Sequence, residues 1–169
     1  MADDVDILRE GFGRLPALVH NAVEGLDDDQ LTYRLDAEAN TIAWLVWHLT
    51  RIQDDHVADA ASTGQIWTAK GWADRFGLPF EVSATGYAQN NDDVAAVRVP
   101  SSLLVGYFDD VYARTVDYLE SLQGADLDRI VDRSWDPPVT LGARLVSVLS
   151  DDLQHAGQAA LIRGVALRT

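Results

Sequence analysis

Asp151 and His155 stand four residues apart in TLGARLVSVLSDDLQHAGQAALIRG, residues 140–164. On a helix that spacing stacks two side chains on one face, about one turn apart. Val148 lies three before Asp151, and Ala159 and Ile162 continue the row beyond His155. A carboxylate and an imidazole thus interrupt a stripe that otherwise reads as core. His48 holds a similar place in residues 40–60, three after Leu45 and four before Ile52. Two neutral imidazoles and a carboxylate make a divalent-metal set, since imidazole suits Zn, Ni and Fe and the carboxylate supplies charge. Three protein ligands leave a position open for water or substrate, which is the catalytic form of a zinc site. The same three residues also fit a buried, hydrogen-bonded polar cluster, because D-x-x-x-H on a helix arises often by chance. Asp152 competes with Asp151, since i,i+3 spacing also reaches His155.

Four long amphipathic helices must position these groups. The first runs from Asp3 to Gly25, with Val5, Leu8, Phe12, Leu15, Leu18, Val19, Ala22 and Val23 at spacings of three and four. Pro16 threatens a kink in it. His20 reads as a packed or boundary histidine. A short turn is expected at 27–33. The second helix starts at an Asn40 cap and places Ile42, Leu45, Leu49 and Ile52 in its core row. Asp55 lies about 20° off the His48 row, and His56 about 80° off. Together with Asp54 and Arg51 they suggest a solvated charged face. Residues 62–91 lack a period and carry four glycines, Gly64, Gly71, Gly77 and Gly86, together with Pro79, Trp67, Trp72, Phe76, Phe80 and Tyr87. Such a segment is too long and aromatic for a plain linker, and it either packs as a crossover or covers a pocket mouth. Val94–Val99 is the one stretch with an extended pattern. The third helix runs from a Ser101 cap to about Gln123, and a short helical turn is expected at 126–131. Asp136-Pro137-Pro138 breaks the chain before Thr140 caps the fourth helix. The expected fold is all-α: one domain over 1–169, a four-helix bundle with a long crossover from helix 2 to helix 3.

The composition narrows the chemistry. The chain is 47% hydrophobic, enough for a full core, and contains no cysteine. A disulfide, a thiolate nucleophile and a thiolate metal site are therefore excluded. The net charge is -14, and no basic stripe offsets it, so neither nucleic acid nor an anionic membrane is an expected partner. No apolar run approaches the ~18–20 residues of a membrane span. The acidic start lacks signal-peptide features, so the expected location is the cytoplasm. There is no nucleophile elbow, phosphate loop or dinucleotide fingerprint.

NTIAWLVWHLTRIQDDHVAD, followed by LVSVLSDDLQHAGQAALIRG, resembles the DinB-like superfamily. It is more narrowly similar to the actinobacterial branch that includes mycothiol-dependent maleylpyruvate isomerase and mycothiol S-transferases. The likeness extends over nearly the whole chain, including the WDPPVTLG lead-in to the fourth helix. It implies a bundle with an interior divalent metal, held by His48, Asp151 and His155. Zinc is the first expectation, with nickel or iron as alternatives. The family commonly has His or Glu where this chain has Asp151, a shorter carboxylate. The implied activity is metal-dependent transfer of a low-molecular-weight thiol of the mycothiol type, possessing no assigned catalytic residue. The partners would be a small-molecule thiol and an electrophile. Arg51 and Gln158 would contact the polar cofactor, and Asp55, His56 or Asp152 would support the ligands. Trp44, Trp72 and Tyr107 would wall the pocket. A homodimer is expected. The competing readings are a non-catalytic, stress-related metal-binding protein and a metal-dependent hydrolase.

Overall fold

The computed structural model describes residues 4–169; Asp3, expected in the opening turn of the first helix, lies outside them. The expected first helix is two helices, α1 (Asp4–Phe12) and α2 (Leu15–Val23). The chain breaks at Gly13–Arg14, and Pro16 falls in the first turn of α2, where its missing N–H costs nothing. Both pieces bury one row, Val5, Leu8 and Phe12 in α1 and Leu15, Val19, Ala22 and Val23 in α2. A single turn, α3 (Asp28–Leu31), is closed by a reciprocal Asp27–Gln30 capping box.

The second long helix is α4 (Ile42–Ala61). Its cap is Thr41 rather than Asn40: the Thr41 hydroxyl accepts the Trp44 N–H at 3.0 Å. The crossover holds three short helices, α5 (Ile66–Ala69), α6 (Trp72–Phe76) and α7 (Asn91–Ala96). The last corrects the extended reading of 94–99 over 94–96. Asn90 accepts from the Asp92 and Asp93 N–H groups, and Asp93 returns a bond to the Asn90 N–H. That box outweighs the β-branched valines. The third long helix, α8 (Ser101–Ser121), is led by Pro100, with Ser101 already inside it. A 3-10 turn at Gly124–Asp128 precedes a hairpin of β1 (Ile130–Asp132) and β2 (Val139–Thr140), antiparallel with Ile130 opposite Thr140. This hairpin was not expected. Thr140 then caps α9 (Leu141–Ala166), which runs past Gly164.

The structure is an all-α bundle with that one small sheet. α4 packs against α9 and α8, and α2 lies against the same two helices. Leu45, Leu49, Phe108 and Leu145 meet in the core with no exposed surface. α4 and α9 run antiparallel, because His48 lies beside His155 while His56, further along α4, meets Arg144 near the start of α9. Among the described residues no helix is long and apolar enough to cross a membrane.

The expected charged face around Arg51 and Asp54 is corrected: both are buried. Asp54 accepts the Ile66 and Trp67 backbone N–H groups at 2.8 and 2.7 Å and the Tyr107 hydroxyl at 2.8 Å. A carboxylate inside a protein is stable only with such donors, and these tie the start of α5 to α4.

Candidate metal centre

His48, on α4, is 7% exposed. Trp44, one turn earlier, stacks on its ring at 4.6 Å between centroids. Its Nδ1 faces the Thr85 carbonyl oxygen at 2.5 Å, which fixes the proton on Nδ1 and leaves Nε2 as the free nitrogen. Burial holds the His48 pKa below its usual value; the Thr85 bond pulls the other way, and the nearby His155 lowers it further. A neutral imidazole with a free nitrogen is a ligand in its binding state.

His155, on α9, has its Nε2 3.4 Å from Asp151 Oδ1 and its Nδ1 2.9 Å from Gln158 Oε1. The Asp151 bond is the main cause of its raised pKa, with burial opposing it. The two histidine rings meet nearly edge to face, 4.9 Å between centroids. One donor atom each from His48, Asp151 and His155 lies within 4.8 Å of the other two. Asp151 Oδ2 is buried and has no hydrogen-bond partner in the chain. A buried carboxylate oxygen left unpaired is costly, and a cation in the cluster would offset that cost. The donor set, the free His48 Nε2 and this oxygen all fit a divalent metal.

Asp152, the rival ligand, does not reach the cluster. It is completely buried with neither oxygen paired, and burial followed by the Asp151 charge raises its pKa well above the usual carboxylate value. Arg51, expected at a cofactor, is fully buried and donates to the Ala84 carbonyl, Gln65 and Tyr107. Gln158 turns its oxygen to His155. Asp55 accepts from Gln65 at 2.7 Å. His56 Nδ1 lies 3.0 Å from Arg144, whose other nitrogen bonds Asp132 at 2.9 Å. Burial and then Arg144 lower the His56 pKa, while Asp151 acts on it in the opposite sense. Of the expected pocket walls, Trp44 touches the cluster. Tyr107 belongs to the Asp54 network, and Trp72 donates to Asp110. His20 pairs with Asp109 at 2.6 Å on the surface.

Sequence reasoning missed Thr85, Gly86, Asp132 and Arg144. Arg144 carried a readable signal, lying seven residues before Asp151 and so on nearly the same helix face. Thr85 acts through a backbone oxygen, which no residue type announces.

The model of the DinB superfamily matches residues 12–159, a span that includes all three donors. The chain belongs to the DinB superfamily. A solved structure of a conserved protein from Enterococcus faecalis aligns with this DinB chain at a TM-score of 0.92 and 23% identity, over 100% of both chains. At that identity the likeness speaks for the fold alone. Among curated proteins there is no match. The superfamily match singles out no branch, so the mycothiol-type placement rests on the sequence motifs.

Proposed function

We propose that this DinB protein holds one divalent metal, zinc in the first instance, on His48, Asp151 and His155 and uses it in thiol transfer. The observation that carries the reading is the convergence of three donor atoms from two helices within 4.8 Å, with Asp151 Oδ2 unpaired beside them. When bound, such an ion lowers the pKa of a coordinated thiol, which at a model value of about 8.5 is mostly protonated at neutrality. In the transfer the S–H bond and the bond from the electrophilic carbon to its leaving group break, the electron pair going with the leaving group, and a sulfur–carbon bond forms. The proton leaves with the displaced group, so no oxidant is needed.

The chain's own residues set the surroundings. Thr85 and Gln158 orient the two imidazoles. Trp44 packs flat against His48 and excludes water from that side. His56 takes the Arg144 N–H at Nδ1, so in its neutral form it carries a proton at Nε2. That leaves it a hydrogen-bond donor at Nε2, with no free nitrogen to act as a base. The motifs shared with mycothiol-dependent enzymes support a low-molecular-weight thiol as co-substrate. A homodimer is part of the same reading, supported by exposed Ile7, Leu18, Val146 and Leu153 on α1, α2 and α9.

Elemental analysis of the purified protein tests the site. One metal per chain is expected, lost in folded His48→Ala and His155→Ala variants. No metal after reconstitution with Zn, Ni and Fe would refute it. Turnover of an electrophile such as chlorodinitrobenzene should then require both metal and mycothiol. Metal-dependent hydrolysis without any thiol would replace thiol transfer by the hydrolase reading.

A further inference from the structure

Two imidazoles serve one ion well only when each turns a fixed nitrogen inward. Both histidines of the cluster have Nδ1 held by a carbonyl oxygen, one from the crossover backbone and one from a side chain of α9. We propose that Gly86 and Gln158 are positioning residues of the metal centre, fixing Nε2 of His48 and of His155 as the ligand atoms; this rests on the metal-binding reading above.

Gly86 is buried, with a φ of +97°, and a Cβ there would sit 2.5 Å from His48 Nδ1 and 3.1 Å from both His48 Cγ and the Trp44 ring. A real Cβ does not approach atoms so closely. The backbone at 85–86 therefore lies flush on the stacked imidazole and indole, and this close approach brings the Thr85 oxygen to His48. Three α4 donors at spacings of four and three hold the strap in register. Trp44 Nε1 donates to Gln89 Oε1 at 2.8 Å, His48 Nδ1 to Thr85, and Arg51 Nε to the Ala84 oxygen at 3.0 Å. They meet the strap in reverse chain order, so its register is set by one stripe of α4. Any side chain at 86 must lift the strap. The freed imidazole then turns about its broad χ2 torsion and exchanges its two nitrogens. Gln158 performs the corresponding task for His155 from one turn further along α9. Partners of this kind fix ring orientation and ligand basicity.

The test compares zinc affinity by chelator competition, and the visible spectrum of the cobalt-loaded protein, for the wild type and four variants. Gly86→Ala and Gln158→Ala are expected to weaken zinc by about 10–100-fold and to shift the cobalt spectrum. Gln158→Glu keeps an acceptor oxygen and should retain wild-type affinity. Gly71→Ala is the control for backbone strain, since Gly71 also has a positive φ (+69°) but nothing within 4 Å of its added Cβ. It should bind zinc normally. Wild-type affinity and spectrum in both Gly86→Ala and Gln158→Ala would overturn the proposal while leaving the metal site standing. An effect at one residue alone overturns the role of the other. A wild type that binds neither zinc nor cobalt overturns both this inference and the metal reading. If Gly86→Ala does not fold, Gln158→Ala and its rescue by Gln158→Glu decide, because that exchange leaves the backbone untouched.

Discussion

α4 carries two polar clusters about a turn apart, and they end differently. Around Arg51 and Asp54 the groups answer one another: the carboxylate has three donors, and the guanidinium reaches a backbone oxygen, an amide and a phenol. Burial keeps the Tyr107 phenol protonated, with a pKa well above its usual value, so it donates to Asp54. Only Arg51 Nη2 is left over. Around His48, Asp151 and His155 the groups converge without completing one another. The contact among their polar atoms is the 3.4 Å approach of His155 to Asp151, and Asp151 Oδ2 has none. A polar network that closes on itself rigidifies a fold. One that keeps free acceptors facing a common point is built to receive something else.

The sharpest way to break this contrast is to remove Asp54. Asp54→Ala strands two backbone N–H groups and a phenol, and takes from the buried Arg51 guanidinium the carboxylate 3.7 Å away. The expected loss is about 3–5 kcal/mol, the usual effect of removing one partner from a buried charged pair. Against a typical total of about 5–15 kcal/mol, that brings the domain near unfolding. His155→Ala, measured without metal, should cost about 1 kcal/mol or less, because it removes a part-exposed group with two local partners. Urea unfolding midpoints compare the two. Equal losses would mean that the histidine cluster is as structural as its neighbour.

Asp152 sharpens the contrast from α9, where consecutive carboxylates have opposite surroundings. Its folded pKa is raised by burial and by Asp151. As pH climbs past the ordinary value of 3.8, the unfolded chain releases this proton while the folded chain keeps it. The unfolded state then binds fewer protons, so stability falls with rising pH until the folded pKa is passed. Asp152→Asn keeps the shape and removes the titration. Its stability relative to wild type should therefore grow from acidic to neutral pH in metal-free protein. A difference that stays flat across that range would mean that Asp152 is ionised in the fold.

Helical periodicity made much of this legible. The rows through His48 and through Asp151 and His155 follow from the 3.6-residue repeat, and the two histidines do meet. Choosing between Asp151 and Asp152 was beyond the sequence, because neighbours on a helix differ by about 100° and both satisfy the pair spacing with His155. Arg51 and Asp54 were misread for a related reason. Charge suggests solvent, and only the packing of the crossover and of α8 on α4 brings Ile66, Trp67 and Tyr107 to pair with Asp54. Thr85 reaches His48 across 37 residues of chain through a backbone atom. The α1–α2 break was half visible in Pro16, whereas the helix at 91–96 was hidden by Val94 and the valines that follow it and revealed by the Asn90–Asp93 box.

The last test adds zinc and follows the melt. A ligand that binds only the folded chain stabilises it by RT ln(1 + [L]/Kd), about 2.7 kcal/mol at a hundredfold excess over Kd. The wild type should show this shift, and His155→Ala should lose it. Acid separates metal binding from the protein's own titration. In the metal-free chain His155 has a raised pKa, so its contribution to stability is present below 6.5 and lost as pH rises through the folded value. His48, with a lowered pKa, has the opposite sign: stability falls as pH drops below 6.5, where the unfolded imidazole protonates first. The zinc shift follows neither trend. It requires both Nε2 atoms deprotonated, and His155, stabilised as a cation by Asp151, is the first to take up a proton on acidification. The shift should thus be full at about pH 8 and shrink on acidification through the raised His155 pKa, before His48 titrates. A shift that stays constant across that window would show that His155 is not a ligand, and the resemblance between the two α4 clusters would be closer than their geometry suggests.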